Sequence, residues 1–185
     1  MKRAAATTLF TFLTVLSALV LFSGCTSTPV QSYKDERPVL DLERYFNGTV
    51  DGWGMFQDRS GKVLKRFYVR IDASWDGPVG TLDEHFEWSD GKKTRRVWTV
   101  TKVEDHRYTG RASDVIGTAQ GEAYGNALRW RYVLNLETDD GKTYEVDFDD
   151  WMYLIDDRTM LNRSFMSKFG FELGQVTLAF TRRDS

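Results

Sequence analysis

Cysteine is almost absent from this chain: Cys25 is the single example in 185 residues. One thiol cannot build a disulfide framework, so it needs an explanation of its own. Histidine is nearly as scarce, with only His85 and His106. Two imidazoles with no further thiol argue against a dedicated zinc site, and no metal or cofactor is expected. Proline occurs 3 times. A strong excess of one charge is also missing. The formal net charge is −2 at pH 7, which argues against sequence-independent binding to the phosphates of a nucleic acid. Beyond Gly24 no long segment keeps a 3.6-residue apolar period, so long helices are not expected there. What the chain does have is aromatic residues, 14% of the total. Pleated, half-buried strands accommodate such side chains well.

The lone cysteine closes a recognisable arrangement. Lys2 and Arg3 precede an apolar run from Ala4 to Phe22, and Ser23-Gly24-Cys25 follow. A basic start, an apolar core and small residues before the cut are the parts of a secretory signal. With Cys placed directly after them, the segment resembles a bacterial lipoprotein signal peptide. That resemblance implies cleavage before Cys25, diacylglyceryl attachment to its thiol and acylation of the new amino terminus. Phe22 stands where such signals usually carry Leu. Two other readings compete. The run could be an uncleaved membrane helix, which needs about 20 apolar residues, although Thr7, Thr8, Thr11, Thr14 and Ser17 dilute it. Cys25 could also be an incidental thiol after an ordinary signal. Thr26 follows the cysteine rather than Asp. In enterobacterial lipoproteins this sorts the protein to the inner leaflet of the outer membrane, facing the periplasm. Several acyl chains, at about 0.8 kcal/mol per buried methylene, give a stable anchor where one is marginal.

The expected organisation is a signal peptide over 1–24, a lipidated polar tether over 25–37, and one β domain over 38–185. A chain of this size buries roughly 70% of its unfolded surface and needs no covalent staple. Pro38 opens a short helical or extended plug ending at Phe46. From Thr49 onward, alternating runs are separated by turn sequences such as Asp58-Arg59-Ser60-Gly61, Asp76-Gly77-Pro78, Ser89-Asp90-Gly91-Lys92, Gly125-Asn126 and Asp139-Asp140-Gly141-Lys142. About ten short strands at this spacing predict an all-β fold. Sequential hairpins favour an antiparallel up-and-down barrel, which removes exposed sheet edges. A two-sheet sandwich is the other candidate. Gly117, Gly121 and Gly125 lack the strand–loop–helix context of a phosphate loop and read as strand bends or a tight corner.

Four blocks carry a resemblance covering nearly the whole mature chain. They are Arg44-Tyr45-Phe46-Asn47-Gly48, Trp53-Gly54-Met55-Phe56-Gln57-Asp58, Phe148-Asp149-Asp150-Trp151-Met152-Tyr153-Leu154 and Met166-Ser167-Lys168-Phe169-Gly170-Phe171. They are similar to a family of uncharacterised proteobacterial lipoproteins, a domain of unknown function with a lipocalin-like (calycin) layout. The resemblance brings no catalytic residues. Genes of the family often neighbour fatty-acid-modifying enzymes, which implies lipid work. Lipocalins also pair a Trp of the first strand with an Arg of the last. By that comparison Trp53 and Arg182 form a barrel-closing pair, although Asp51 stands where lipocalins carry Gly.

Candidate site residues follow from strand parity. Val146, Phe148, Asp150, Met152 and Leu154 share one face, with Asp147, Asp149, Trp151 and Tyr153 on the other. An inward Asp150 would be a carboxylate among apolar neighbours, with a raised pKa. It would then contact a ligand or act as an acid or base. Alternatively it bonds to backbone or pairs with Arg163. Phe67, Trp98, Trp130, Tyr132 and Phe148 are candidate walls of a cavity, or else ordinary core. His85 and His106 lie in separate segments with no recognised nucleophile motif beside them and are expected at the surface.

Three functions are therefore open. The chain could bind or carry a fatty-acid-like molecule in the envelope, with a membrane as partner through the lipid. It could be a structural envelope protein with a filled barrel. It could modify lipids with Asp150 as acid or base. The address is directly testable. Cys25→Ser is expected to abolish palmitate labelling and to release the chain from the membrane fraction. Unchanged labelling would show that Cys25 is not the acceptor.

Overall fold

The computed structural model describes residues 28–138 and 141–183. The signal segment and Cys25 lie outside them. Within them, each alternating run of the sequence becomes a strand. The strands are β1 (Gly48–Asp58), β2 (Val63–Asp76), β3 (Val79–Trp88), β4 (Lys93–Glu104) and β5 (Arg107–Arg111). They continue as β6 (Val115–Tyr124), β7 (Ala127–Glu137), β8 (Thr143–Leu154), β9 (Thr159–Lys168) and β10 (Phe171–Arg182). Every strand pairs antiparallel with its sequence neighbours, and β1 pairs with β10, from Val50↔Arg182 to Asp58↔Gly174. The sheet is a closed ten-stranded up-and-down barrel, which excludes the sandwich.

Side chains alternate across each strand, so closure puts one half of every pattern inside. On β2 the inward set is Phe67, Val69, Ile71 and Ala73. The turn sequence Asp76-Gly77-Pro78 marks the end of this strand, as expected. It runs on to Asp76 because the alternation continues through small Ala73 to Trp75. Val50, Val69, Ile71, Leu128, Val146 and Met160 lose essentially all contact with solvent. Burying a side chain of this kind contributes roughly 1.5–3 kcal/mol.

One end of the barrel is sealed by α1 (Leu42–Tyr45). Asp41 caps this short helix, accepting from the Glu43 and Arg44 amides at 2.9 and 3.3 Å. Leu42 and Phe46 point into the interior, and the Trp75 indole N–H donates to the Phe46 carbonyl at 2.8 Å. The plug expected from Pro38 is therefore present as one helical turn. The opposite end is ringed by the hairpins β1–β2, β3–β4, β7–β8 and β9–β10 and stays open.

The expected tether over 25–37 is corrected from Val30 onward. Residues Val30–Tyr33 form a 3₁₀ turn that packs on the outside of the wall. Val30 is buried with Ala127 and Trp151, and the Tyr33 ring lies 5.4 Å from that of Tyr153. The cause is the outward face of β8. Trp151 and Tyr153 would otherwise expose aromatic surface beside Phe165, and two apolar residues spaced by three cover it. Gly125 makes this docking possible. It sits at φ +54°, and an added Cβ would lie 1.7 Å from the Tyr33 carbonyl oxygen. Its own carbonyl accepts from Leu40 at 2.8 Å.

The other two glycines of that series also serve the wall. Gly117, at φ +72°, lies in the register shift between Ile116 and Gln120. Gly121 lies under the Trp130 ring, where a Cβ would approach to 2.3 Å.

Gly125→Ala is expected to lower stability by about 1–3 kcal/mol through backbone strain alone. It should also free residues 28–36 for proteolysis. An unchanged cleavage pattern would show that the segment is not held there.

Candidate functional site

The barrel encloses a cavity of about 770 Å³ running from α1 to the open end. Phe67, Trp98, Trp130, Tyr132, Phe148 and Asp150 all face it. Their rings interlock. Trp98 meets Trp130 edge-on at 5.7 Å and Tyr132 at 5.4 Å, and Tyr132 stacks on Phe148 at 5.0 Å. Offset and edge-on pairs of this kind are favourable beyond the area they bury. Apolar residues extend the lining towards the mouth through Phe56, Phe86, Trp88 and Leu136. At the rim Phe169 and Phe171 are 86% and 76% exposed, while Lys65, Lys92 and Glu137 make other parts of the mouth charged.

A polar belt interrupts this lining at mid-height. Asp150 is buried, and the Tyr132 hydroxyl donates to its Oδ2 at 3.3 Å. Ser164 faces it across the β8–β9 pairing. Arg163 pairs with Trp151 in that register and stands on the outer face, its guanidinium 4.5 Å from the Phe165 ring centre, so the alternative Asp150–Arg163 pair does not form. Three members of the belt were not singled out from sequence: Glu84, Arg96 and Asp114. Arg96 donates from Nε and Nη2 to Asp114 at 2.9 and 2.7 Å, and its Nη1 lies 3.7 Å from Glu84 Oε2. Parity could have found two of them. Glu84 falls between inward Leu82 and Phe86, and Arg96 falls one step before inward Trp98. Asp114 sits in the β5–β6 turn, where no periodicity points anywhere. The Arg96–Asp114 pair crosses a thin part of the wall. The β4–β5 ladder begins only at Thr99↔Arg111, leaving the first half of β4 without that neighbour.

Two atoms of the belt are left over. Glu84 Oε2 and Asp150 Oδ1 are cut off from solvent and have no hydrogen-bond partner among the described residues. Burial pushes the Asp150 carboxyl up to about 7, against the opposing pull of Ser164, Tyr132 and Arg96. Burial likewise pushes Glu84 up to about 7, with Arg96 opposing and the Asp114 and Asp150 charges adding to the rise. Burial disfavours the Arg96 charge, but Glu84 and Asp114 outweigh it and hold the guanidinium protonated.

The expected barrel-closing pair is corrected. Trp53 is 54% exposed on the outer face with its ring 5.7 Å from Tyr68, while neighbouring Gly52 faces inward. Arg182 lies opposite fully buried Val50, on the inner side. Three steps along an antiparallel register is an odd number, so the two side chains leave opposite faces. The next residue does the latching. Arg183 grips Asp51 with two bonds of 2.7 Å, and the Tyr68 hydroxyl donates to the same carboxylate. His85 and His106 are both on the outside. His85 lies 3.3 Å from Asp83, and His106 stacks on Tyr124 at 4.3 Å.

The model of the family described as Protein of unknown function (DUF3833) matches residues 19–182. No curated protein matches the sequence. Among solved structures, the S-type phycobiliprotein lyase CPES from Guillardia theta superposes with a TM-score of 0.57 at 7% identity. That match covers 86% of this chain and 99% of that one. A de novo designed fluorescence-activating beta barrel reaches a TM-score of 0.43 at 12% identity, over 78% of this chain and 99% of its own. The first likeness establishes a shared lipocalin-like barrel fold. The second is too distant to add to it.

The raised carboxyls make stability depend on pH. A carboxyl held higher in the folded state than in the unfolded chain contributes stability that is complete below the unfolded value. That contribution is lost as pH rises through the folded value. For Asp150 the window runs from 3.8 to about 7. Asp150→Asn removes the penalty of ionising it. The variant is expected to exceed the parent in urea stability by up to about 4 kcal/mol near pH 8. The gap should close near pH 4. An equal gap at both pH values would show that Asp150 is not raised.

Proposed function

The chain belongs to the DUF3833 family of proteins of unknown function, and we propose that it binds an elongated, largely apolar small molecule inside the barrel, close to a bacterial membrane. The cavity carries this reading. A volume of about 770 Å³ falls within the roughly 300–1,000 Å³ typical of small-molecule sites, which are mostly apolar with a few placed polar groups. A barrel serving only as a scaffold would be filled by its own side chains. Here the ten-stranded barrel leaves space instead.

The membrane part of the proposal rests on the signal-like segment and Cys25. A lipid on that cysteine would hold the protein at the inner leaflet of the outer membrane. Because the chain is docked from Val30, five residues from Cys25 to Pro29 would span the gap. They reach at most about 17 Å, so the barrel would stand against the bilayer rather than on a long stalk.

Native mass spectrometry of the full chain extracted from its own cells should show a bound species of lipid-like mass. Met152→Trp, which places an indole in the cavity, should displace it while circular dichroism stays that of a barrel. A chain that is empty under every mild extraction would end the proposal.

A further inference from the structure

The apolar wall selects for a hydrophobic body, and the polar belt selects for one kind of polar end. Its facing groups come from six places: Glu84 on β3, Arg96 on β4, Asp114 in the β5–β6 turn, Tyr132 on β7, Asp150 on β8, and Asn162 with Ser164 on β9. Three are carboxylates and one is a cation. The cation is already engaged, since Arg96 spends Nε and Nη2 on Asp114 and turns Nη1 towards Glu84. The Tyr132 hydroxyl is given to Asp150, and the Ser164 hydroxyl, 3.2 Å from Asn162 Oδ1, also draws on Asp150. Of the cations nearer the mouth, Lys92 has no side-chain partner among the described residues, and the other two are matched. Arg95 is held by Asp83 with bonds of 2.7 and 2.8 Å, and Lys65 lies 3.0 Å from Asp90. What remains unanswered inside the cavity, among the described residues, is acceptor capacity, at Glu84 Oε2 and Asp150 Oδ1.

We propose that the belt receives a cationic, hydrogen-bond-donating group, an aliphatic ammonium at the end or side of an apolar chain, with Glu84 and Asp150 as its acceptors. This rests on the reading of the barrel as a binder of apolar molecules and revises the expectation of a fatty-acid-like ligand. A fatty-acid carboxylate at this height would face the three acidic groups Glu84, Asp114 and Asp150 against one guanidinium, Arg96, which already answers Asp114 and lies 3.7 Å from Glu84. Burying a charge without a partner is strongly unfavourable, whereas an ammonium supplies three donors to oxygens that now have none. Charge-assisted bonds of this kind are the stronger class.

The arrangement also fixes a pH response. An alkylammonium stays charged across neutral pH, so its affinity follows the ionisation of Glu84 and Asp150. Both carboxyls are raised to about 7 in the empty barrel. Binding should therefore strengthen as pH rises through neutrality, and near pH 7 it should release protons.

The test uses the full chain in zwitterionic lipid nanodiscs, with empty nanodiscs as the blank. Decylamine, decanol and decanoate are titrated by calorimetry. Near pH 8 decylamine is expected to bind about ten- to a hundredfold more tightly than decanoate, the factor a charge-assisted bond supplies. That advantage should shrink near pH 5. The paired substitution Glu84→Gln with Asp150→Asn should erase it while circular dichroism and cooperative melting stay those of a barrel, which shows that the fold is intact. Decanoate binding as tightly as decylamine overturns the headgroup assignment and leaves the cavity reading standing. So does a decylamine advantage that survives the paired substitution. Failure of all three probes overturns both.

Discussion

Everything in this molecule depends on the pairing of β1 with β10. That ladder joins the first strand to the last, from Val50↔Arg182 to Asp58↔Gly174, and turns a meander with two open edges into a tube with none. Backbone pairing then runs round the tube except beside the first half of β4, where Arg96 reaches Asp114, and the two terminal strand edges are no longer open to another chain. The outer face adds a second fastening where Arg183 reaches Asp51 beside Tyr68. Once the tube is closed, the two faces of every strand acquire different fates. One half of each alternating pattern must face an interior whose width is set by strand number, and with ten strands that interior is wider than its side chains fill.

The interior shows how such space is kept without collapse. Large rings brace one another across it, with Trp98 between Trp130 and Tyr132 and Phe67 against Phe86 and Trp88. Small residues make room beneath them, as Gly110 and Gly121 do under Trp130. Against this apolar background the Glu84–Arg96–Asp114–Asp150 belt is costly. Two carboxyl oxygens lack partners among the described residues, and burial holds both acids near neutrality. A sequence selected for stability alone would replace them with apolar residues of similar volume, since such replacements are often neutral or better. A ligand that supplies the missing donors gives the belt a use.

Much of the wall was legible because side-chain parity is local. Val146, Phe148, Asp150 and Leu154 face inward on β8 as a two-residue period requires, and the inward position of Asp150 follows from that alone. The same reasoning, applied to β3 and β4, would have placed Glu84 and Arg96 beside it. The docking of residues from Val30 onward is not legible in composition, which describes a segment and not what it lies against. Val30 and Tyr33 look ordinary in a polar stretch until Trp151 and Tyr153 offer them a surface. The Trp53–Arg182 pairing of other barrels does not transfer here, because strand parity puts the two side chains on opposite faces.

The sequence by itself determined the strands, their turns and which side chains share a face. Those properties depend on neighbours within a few residues. It also contains the signal-like segment ending at Cys25, which is a linear pattern. Tertiary structure decided that the sheet closes, that the closed interior is a cavity, and that Glu84, Arg96, Asp114 and Asp150 meet at one height. Those facts depend on pairings between strands far apart in the chain. The charge balance of the belt, and with it the kind of molecule it can hold, exists only after four separate elements have been brought around the same space.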